Sequence, residues 1–210
     1  TATDEFESLL KSARELDISH AHTIRYSSRN IVLRHRRFHL LEWGEPSSPA
    51  LILLHGGHQS AHSWDLVSLS LADRYRIFAL DQRGHGDTEW SRDGDYSSEA
   101  MADDVLAFVA AEDIVEPIIF GHSMGGLVTL NVLGLAPALS RAAVLVDVGP
   151  EVDSRGTSMI REFIKSAVEF DDIEEFVERV HAYDPFRSKE HIERTVRYNM
   201  LRRADGKYVS

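Results

Sequence analysis

At 210 residues, 43% of them hydrophobic, the chain is long enough for one full-sized domain, or for a core with a small appended subdomain. Its 23 Lys and Arg against 34 Asp and Glu give a net charge of −11, which repels nucleic acid and anionic membrane surfaces, so neither is an expected partner. There is no cysteine, hence no disulfide framework, thiolate metal site or thiol nucleophile, a composition that fits a reducing cytoplasm.

The amino end, TATDEFESLLKSARELD, predicts an amphipathic helix over residues 4–17 within an N-terminal segment, 1–28, of helix and linker. Phe6, Leu9, Leu10, Ala13 and Leu16 share one face, and Asp4, Glu5 and Glu7 stand in the first turn, where the helix dipole favours acids. The polar face is not basic, so packing on the domain is expected rather than membrane binding. No secretory signal is expected either, and no apolar run approaches the ~20 residues of a membrane-crossing helix. The chain opens without Met, which leaves open what precedes Thr1.

Next come two strands, NIVLRH at 30–35 and FHLLEWG at 38–44, read as an antiparallel pair with Arg36-Arg37 at the turn. The one basic cluster, RHRRFH at 34–39, is read as a solvated strand face. From residue 50 the pattern changes to apolar runs separated by helices: ALILLHG (50–56), YRIFALD (75–81), EPIIFGHS (116–123) and AAVLVDVG (142–149). Such runs predict a parallel sheet buried on both faces, in a core spanning 29–150. Between them, Trp64, Val67 and Leu71 share one helical face, and Met101, Val105, Phe108 and Val109 share another behind Ser98 as a cap. The helix at 124–136 is apolar nearly all round and is expected at the centre of the fold. Pro150 ends the regularity, and 151–210 reads as a helical cap without strands. Its three patterns are Met159 to Ala167, Ile173 to Val180, and Ile192, Val196 and Met200, with Asp171 and Glu174 as a capping box.

Three motifs carry chemistry. The strand at 116–120 runs into Gly121-His122-Ser123-Met124-Gly125-Gly126 and then a helix, so Ser123 occupies a strand-to-helix hinge. Such a turn forces unusual backbone angles on the serine and exposes its hydroxyl at a helix amino end, where dipole and free amides stabilise a reacting oxyanion. The competing reading is a Gly-rich turn with a helix-capping serine. A phosphate-binding loop does not fit, because the glycines at 121, 125 and 126 do not make G-x-G-x-x-G and no Lys-Ser or Lys-Thr pair follows. The second motif, LLHGGHQSAHSW at 53–64, can offer the N–H of Gly57 to an oxyanion while Met124 supplies the second donor. The third, LDQRGHGDT at 80–88, follows the next strand.

Strand-HGG, strand-DQRGHG and strand-GHSMGG-helix, in this order and spacing, resemble the α/β-hydrolase fold over residues 30 to 150. The resemblance implies an α/β-hydrolase core whose mostly parallel sheet is incomplete, with about six strands, and a helical cap inserted after the sixth. Serine at the elbow resembles the esterase, lipase, lactonase, carbon–carbon hydrolase and cofactor-free haloperoxidase branches; epoxide hydrolases and haloalkane dehalogenases carry aspartate there. The function implied is a serine hydrolase acting on an ester, lactone or related carbonyl bond, with a small or medium-sized, partly hydrophobic carbonyl substrate and no cofactor or metal.

A serine nucleophile needs a base, and the base needs an orienting group. In the family the acid and then the histidine follow the cap, whereas this chain stops at LRRADGKYVS, so it reads as the amino-terminal part of a longer enzyme. Asp147, at the end of the sixth strand, is the acid left in place, with a turn or cap contact as its alternative role. His122 and His58 are read as pocket-lining; His55, His58 and His62 as loop-packing rather than metal ligands; His85 as a turn residue. His181 and His191 fall on cap helices. Two other functions stay open: a non-catalytic ligand-binding or inactive scaffold, and cofactor-free haloperoxidase chemistry.

Overall fold

The apolar runs become a six-stranded sheet: β1 (Tyr26–Leu33), β2 (Arg36–Trp43), β3 (Ala50–Leu54), β4 (Arg76–Leu80), β5 (Ile118–His122) and β6 (Ala142–Val146). The computed structural model describes residues 2–21, 25–149 and 169–209, which fall into two compact units, 17–150 and 1–16 with 151–210. In the larger unit the strands lie in the order β1-β2-β4-β3-β5-β6. The β1–β2 and β2–β4 pairs are antiparallel, and β4, β3, β5 and β6 run parallel to one another. All four residues of Leu51–Leu54 and of Ile77–Leu80 are buried, which explains why these runs do not alternate: both of their faces are covered. β6 is different. Val144 and Val146 on this strand, which ends the order of the six, are 38% and 37% exposed.

The hairpin turn is corrected by two residues. Arg34 and His35, with φ of 49° and 64°, form the two-residue loop, and Arg36 and Arg37 open β2. Two consecutive left-handed residues match the twist of the strands they join, and here non-glycine residues adopt them, so no Gly marked the turn.

Helix α2 (Asp65–Leu71) follows a short 3-10 turn at Ala61–Trp64 and buries Asp65, Ser68 and Leu69 behind Trp64, a face turned from the predicted Val67 and Leu71 stripe. Helix α3 (Ser98–Ala111) buries Met101, Val105, Phe108 and Val109 as its spacing requires. Its cap is Ser97 rather than Ser98: the Ser97 hydroxyl accepts from the Ala100 N–H. Phe108 meets Phe78 of β4 edge to face at 5.3 Å, in a core shared with Leu40, Ile52, Ile119, Val128 and Val132. Burying each such side chain contributes about 1.5–3 kcal/mol. Helix α4 (Met124–Leu135) is not enclosed on all sides: Gly125, Gly126, Val128, Thr129 and Val132 are buried, whereas Leu135 is 59% exposed.

The second unit contains α1 (Ala2–Glu15), α5 (Ile173–Tyr183), α6 (Lys189–Val196) and a two-stranded antiparallel ladder of β7 (Leu201–Arg202) with β8 (Tyr208–Val209). That ladder corrects the strand-free reading of the segment; two-residue strands leave no apolar run to detect. Phe6, Leu9 and Ala13 of α1 are buried and Leu16 is exposed. Phe170, Val177, Ile192, Val196 and Met200 form a small core, to which Phe170 is tied by backbone bonds with Tyr208. The cap of α5 is Asp172, which accepts from Glu175 N–H while Glu175 Oε2 accepts from Asp171 N–H, one position beyond the predicted box. The predicted Met159–Ala167 helix and Pro150 lie outside the described residues. Among the described residues no helix is long and apolar enough to cross a membrane.

Candidate active site

The end of β5 is built around one strained residue. Ser123 has φ 48° and ψ −113°, a conformation costly for any residue with a Cβ, at the joint between β5 and α4. Its carbonyl accepts from Gly126 and Leu127, its N–H donates to Val146 on the neighbouring strand at 2.9 Å, and its hydroxyl does not cap the helix it begins. The turn-serine reading therefore loses its expected bond. The glycines are needed for close approach: a Cβ on Gly125 would lie 2.3 Å from the Leu54 carbonyl oxygen, and one on Gly121 would lie 2.3 Å from that of Gly125. Strand and helix backbones nearly touch here, which holds the bend. Met124 is the first residue of α4, so its N–H has no intrahelical acceptor and projects from the positive end of the helix.

The loop after β3 comes to the same place. Gly57 lies beside Met124, whose sulfur is 4.0 Å from where a Gly57 Cβ would stand, and Gly57 is exposed. Two bonds within the loop, Gln59 N–H to Gly56 O and Gly56 N–H to Gln59 Oε1, pass by the Gly57 N–H. Gln59, which the sequence did not single out, joins the loop to the elbow, because its Oε1 also accepts from His122 Nδ1 at 3.2 Å. His122 is half-buried, and its Nε2 faces the Asp147 carboxylate at 3.9 Å. Burial lowers the His122 pKa despite the opposing pull of Asp147, which favours the neutral ring. Asp147 itself is 85% exposed at its side chain, with φ 54°. His58 is exposed in a left-handed turn at φ 59°.

His55 is wholly buried. Its Nδ1 donates to the Gly56 carbonyl at 2.8 Å and its Nε2 accepts from Gln82 N–H at 3.0 Å, while Gln82 Nε2 donates back to the His55 carbonyl. Burial, helped by nearby His85, pulls the imidazole down to about 4. It is a neutral strut between the loops after β3 and β4. His85 donates to the Arg83 carbonyl at 3.0 Å, and His62 pairs with Asp65 at 2.9 Å. In the loop after β4, Arg83 forks onto the Asp104 carboxylate at 2.6 and 2.8 Å and anchors the loop to α3. Asp81, also buried, accepts from Ala61 N–H, Asp87 N–H and the His39 ring. Burial raises its pKa, but these donors and the neighbouring His55 outweigh that and hold it below the ordinary carboxylate range.

A family profile described as the alpha/beta hydrolase fold matches residues 49–182. Esterase Rv0045c of Mycobacterium tuberculosis is 31% identical over 175 residues, 80% of this chain and 58% of that protein. Its refined crystal structure superposes with a TM-score of 0.79 and 28% identity, covering 98% of this chain and 70% of that one. Protein phosphatase methylesterase 1 of Bos taurus is 44% identical over 98 residues, 43% of this chain and 26% of the relative. The chain thus spans well under two thirds of the length of both relatives. It belongs to the alpha/beta hydrolase fold family.

Proposed function

We propose that this family member is part of a longer enzyme that hydrolyses an ester, lactone or related carbonyl bond through Ser123. The single observation that carries the reading is the backbone of Ser123, φ 48° and ψ −113°, at a strand-to-helix joint that its hydroxyl does not cap. Strain of that kind costs about 1–3 kcal/mol and persists only where surrounding structure over-determines it. Ester hydrolysis as the reaction class is supported by the relatives, an esterase and a methylesterase.

In this reading Ser123 Oγ attacks the carbonyl carbon and loses its proton to a histidine outside the described residues. The amides of Gly57 and Met124 hold the developing oxyanion, each contributing roughly a hundred- to thousand-fold in rate. Asp147 is the acid this chain offers to orient such an imidazole, and His58 and His122 line the approach. An acyl-enzyme forms on Ser123, the alcohol leaves, and water releases the acid. The helical segment after β6 selects the substrate, which is small or medium-sized and partly hydrophobic.

The test is turnover of short-chain aryl esters by the full-length protein and its Ser123→Ala variant. Loss of at least about a thousandfold in kcat/KM is expected; retention of activity refutes the role of Ser123. A second reading, a non-catalytic ligand-binding member, is favoured by one observation: among the described residues no histidine hydrogen-bonds the Ser123 hydroxyl. Multiple turnovers by the wild-type protein reject it.

A further inference from the structure

A complete serine–histidine–aspartate hydrogen-bond chain exists in this molecule, and it is not at the elbow. On the β1–β2 hairpin, Ser28 Oγ lies 2.8 Å from His39 Nε2, and His39 Nδ1 lies 2.7 Å from Asp81 Oδ2. The three residues come from β1, β2 and the loop after β4, and strand register brings them together: Asn30 is opposite His39, so Ser28 is its diagonal neighbour on the same face. The two ends differ in solvent access. Ser28 is exposed, while His39 and Asp81 are 5% and 2% exposed.

The direction of the proton chain follows from the partners. Asp81 is a carboxylate whose Oδ1 and Oδ2 already accept from the Ala61 and Asp87 amides, so the bond to His39 is donated by the ring Nδ1–H. That tautomer leaves a lone pair on Nε2, and the Ser28 hydroxyl donates to it. His39 is fixed for this task by its backbone: its N–H donates to Thr88 Oγ1 at 2.9 Å and its carbonyl accepts from Asp81 N–H at 3.0 Å. Beside Ser28 on the same face, Asn30 has its Oδ1 taken by Arg37 at 3.1 Å, so what this side chain offers a reacting oxygen is its amide N–H group.

We propose that Ser28 is a second nucleophilic serine, which accepts acyl or phosphonyl groups from activated esters with His39 as its base and Asp81 as the orienting acid. The step balances without any further reactant. The Ser28 proton passes to His39 Nε2, the Oγ–carbon bond forms, and the bond to the leaving group breaks with departure of an alkoxide or phenoxide that takes up the proton from His39 or from water. With a fluorophosphonate the new bond is Oγ–phosphorus and fluoride leaves. This role is independent of Ser123, whose neighbourhood shares none of the three residues.

The protein carries its own control. Ser27 is exposed like Ser28 and sits in the same tryptic peptide, Tyr26–Arg29, but points to the opposite face of β1, where no histidine among the described residues hydrogen-bonds to it. The experiment treats wild-type, Ser123→Ala and His39→Gln proteins with a fluorophosphonate and, separately, with p-nitrophenyl acetate, then locates adducts by fragmentation mass spectrometry. Labelling of Ser28 at least about a hundredfold faster than Ser27 is expected, the gain typical of a positioned general base. That preference should be unchanged in Ser123→Ala and absent in His39→Gln. Equal labelling of Ser27 and Ser28 in the wild-type protein overturns the proposal whether or not His39→Gln folds, as does a Ser28 preference that survives in a folded His39→Gln. Adducts at Ser123 report on the elbow separately, so failure at one serine is not mistaken for failure at the other.

Discussion

The two serines at opposite parts of the sheet divide the requirements of a nucleophile between them. Ser123 has the placement: a strained hinge, an adjacent free helix amide and a glycine loop alongside, but no histidine bonded to its hydroxyl among the described residues. Ser28 has the proton path, with an oriented imidazole at 2.8 Å and a buried carboxylate behind it, on an ordinary strand with no hinge. Placement and proton removal are therefore built by different means. The hinge needs glycines at fixed sequence offsets, whereas the relay needs only the register of two strands and one loop contact.

The comparison breaks most severely at the hinge glycines. Gly125→Ala forces a methyl group to within 2.3 Å of the Leu54 carbonyl oxygen, backbone that has no room to move. We expect a loss of about 3 kcal/mol in chemical denaturation, with Ser123 labelling lost alongside. Gly57→Ala is the sharp contrast: its Cβ would meet nothing closer than the flexible Met124 sulfur at 4.0 Å, so stability should change by less than about 0.5 kcal/mol. Between these extremes lies His55, which supports the loop carrying Gly57. Its folded pKa of about 4 is below the free value of 6.5, so between these pH values the unfolded chain binds a proton that the folded one refuses. The stabilisation is complete above pH 6.5 and falls away as pH drops through 4, a loss of about 3 kcal/mol. Denaturation midpoints from pH 7 to pH 4 check it, and His55→Gln should flatten the profile. Beside the hairpin, Asp81→Asn keeps one acceptor oxygen but replaces the other with an NH2 group that faces an N–H donor, and should cost about 2 kcal/mol. It should also slow Ser28 labelling while a folded variant still labels at Ser123.

What the sequence made legible follows the same division. The elbow was readable because Gly121, Ser123, Gly125 and Gly126 fall within six consecutive residues and an apolar strand precedes them. The four parallel strands were readable because each is an unbroken apolar run, the pattern of a strand covered on both faces, as β3 and β4 are. The Ser28–His39–Asp81 chain was not, since its members are 11 and 42 residues apart and meet only through register and a loop contact. Gln59 and Gln82, which join the loops to one another, carry no sequence signal beyond being polar in a turn. The hairpin turn escaped because Arg34 and His35 take left-handed angles without Gly or Asn, and both helix caps fell one residue from the observed ones because Ser97-Ser98 and Asp171-Asp172 each offer two equivalent candidates.

The central claim is that Ser123 is the nucleophile. Mass-spectrometric mapping of a fluorophosphonate adduct on the full-length protein addresses it without reference to any substrate, since Ser123 lies in the tryptic peptide Asp93–Arg141. The account predicts a phosphonyl group on Ser123, blocked by prior ester substrate and absent from the Ser123→Ala protein, whereas the Ser28 adduct persists in that variant. An active esterase whose adduct forms elsewhere, with Ser123 unmodified, would contradict it.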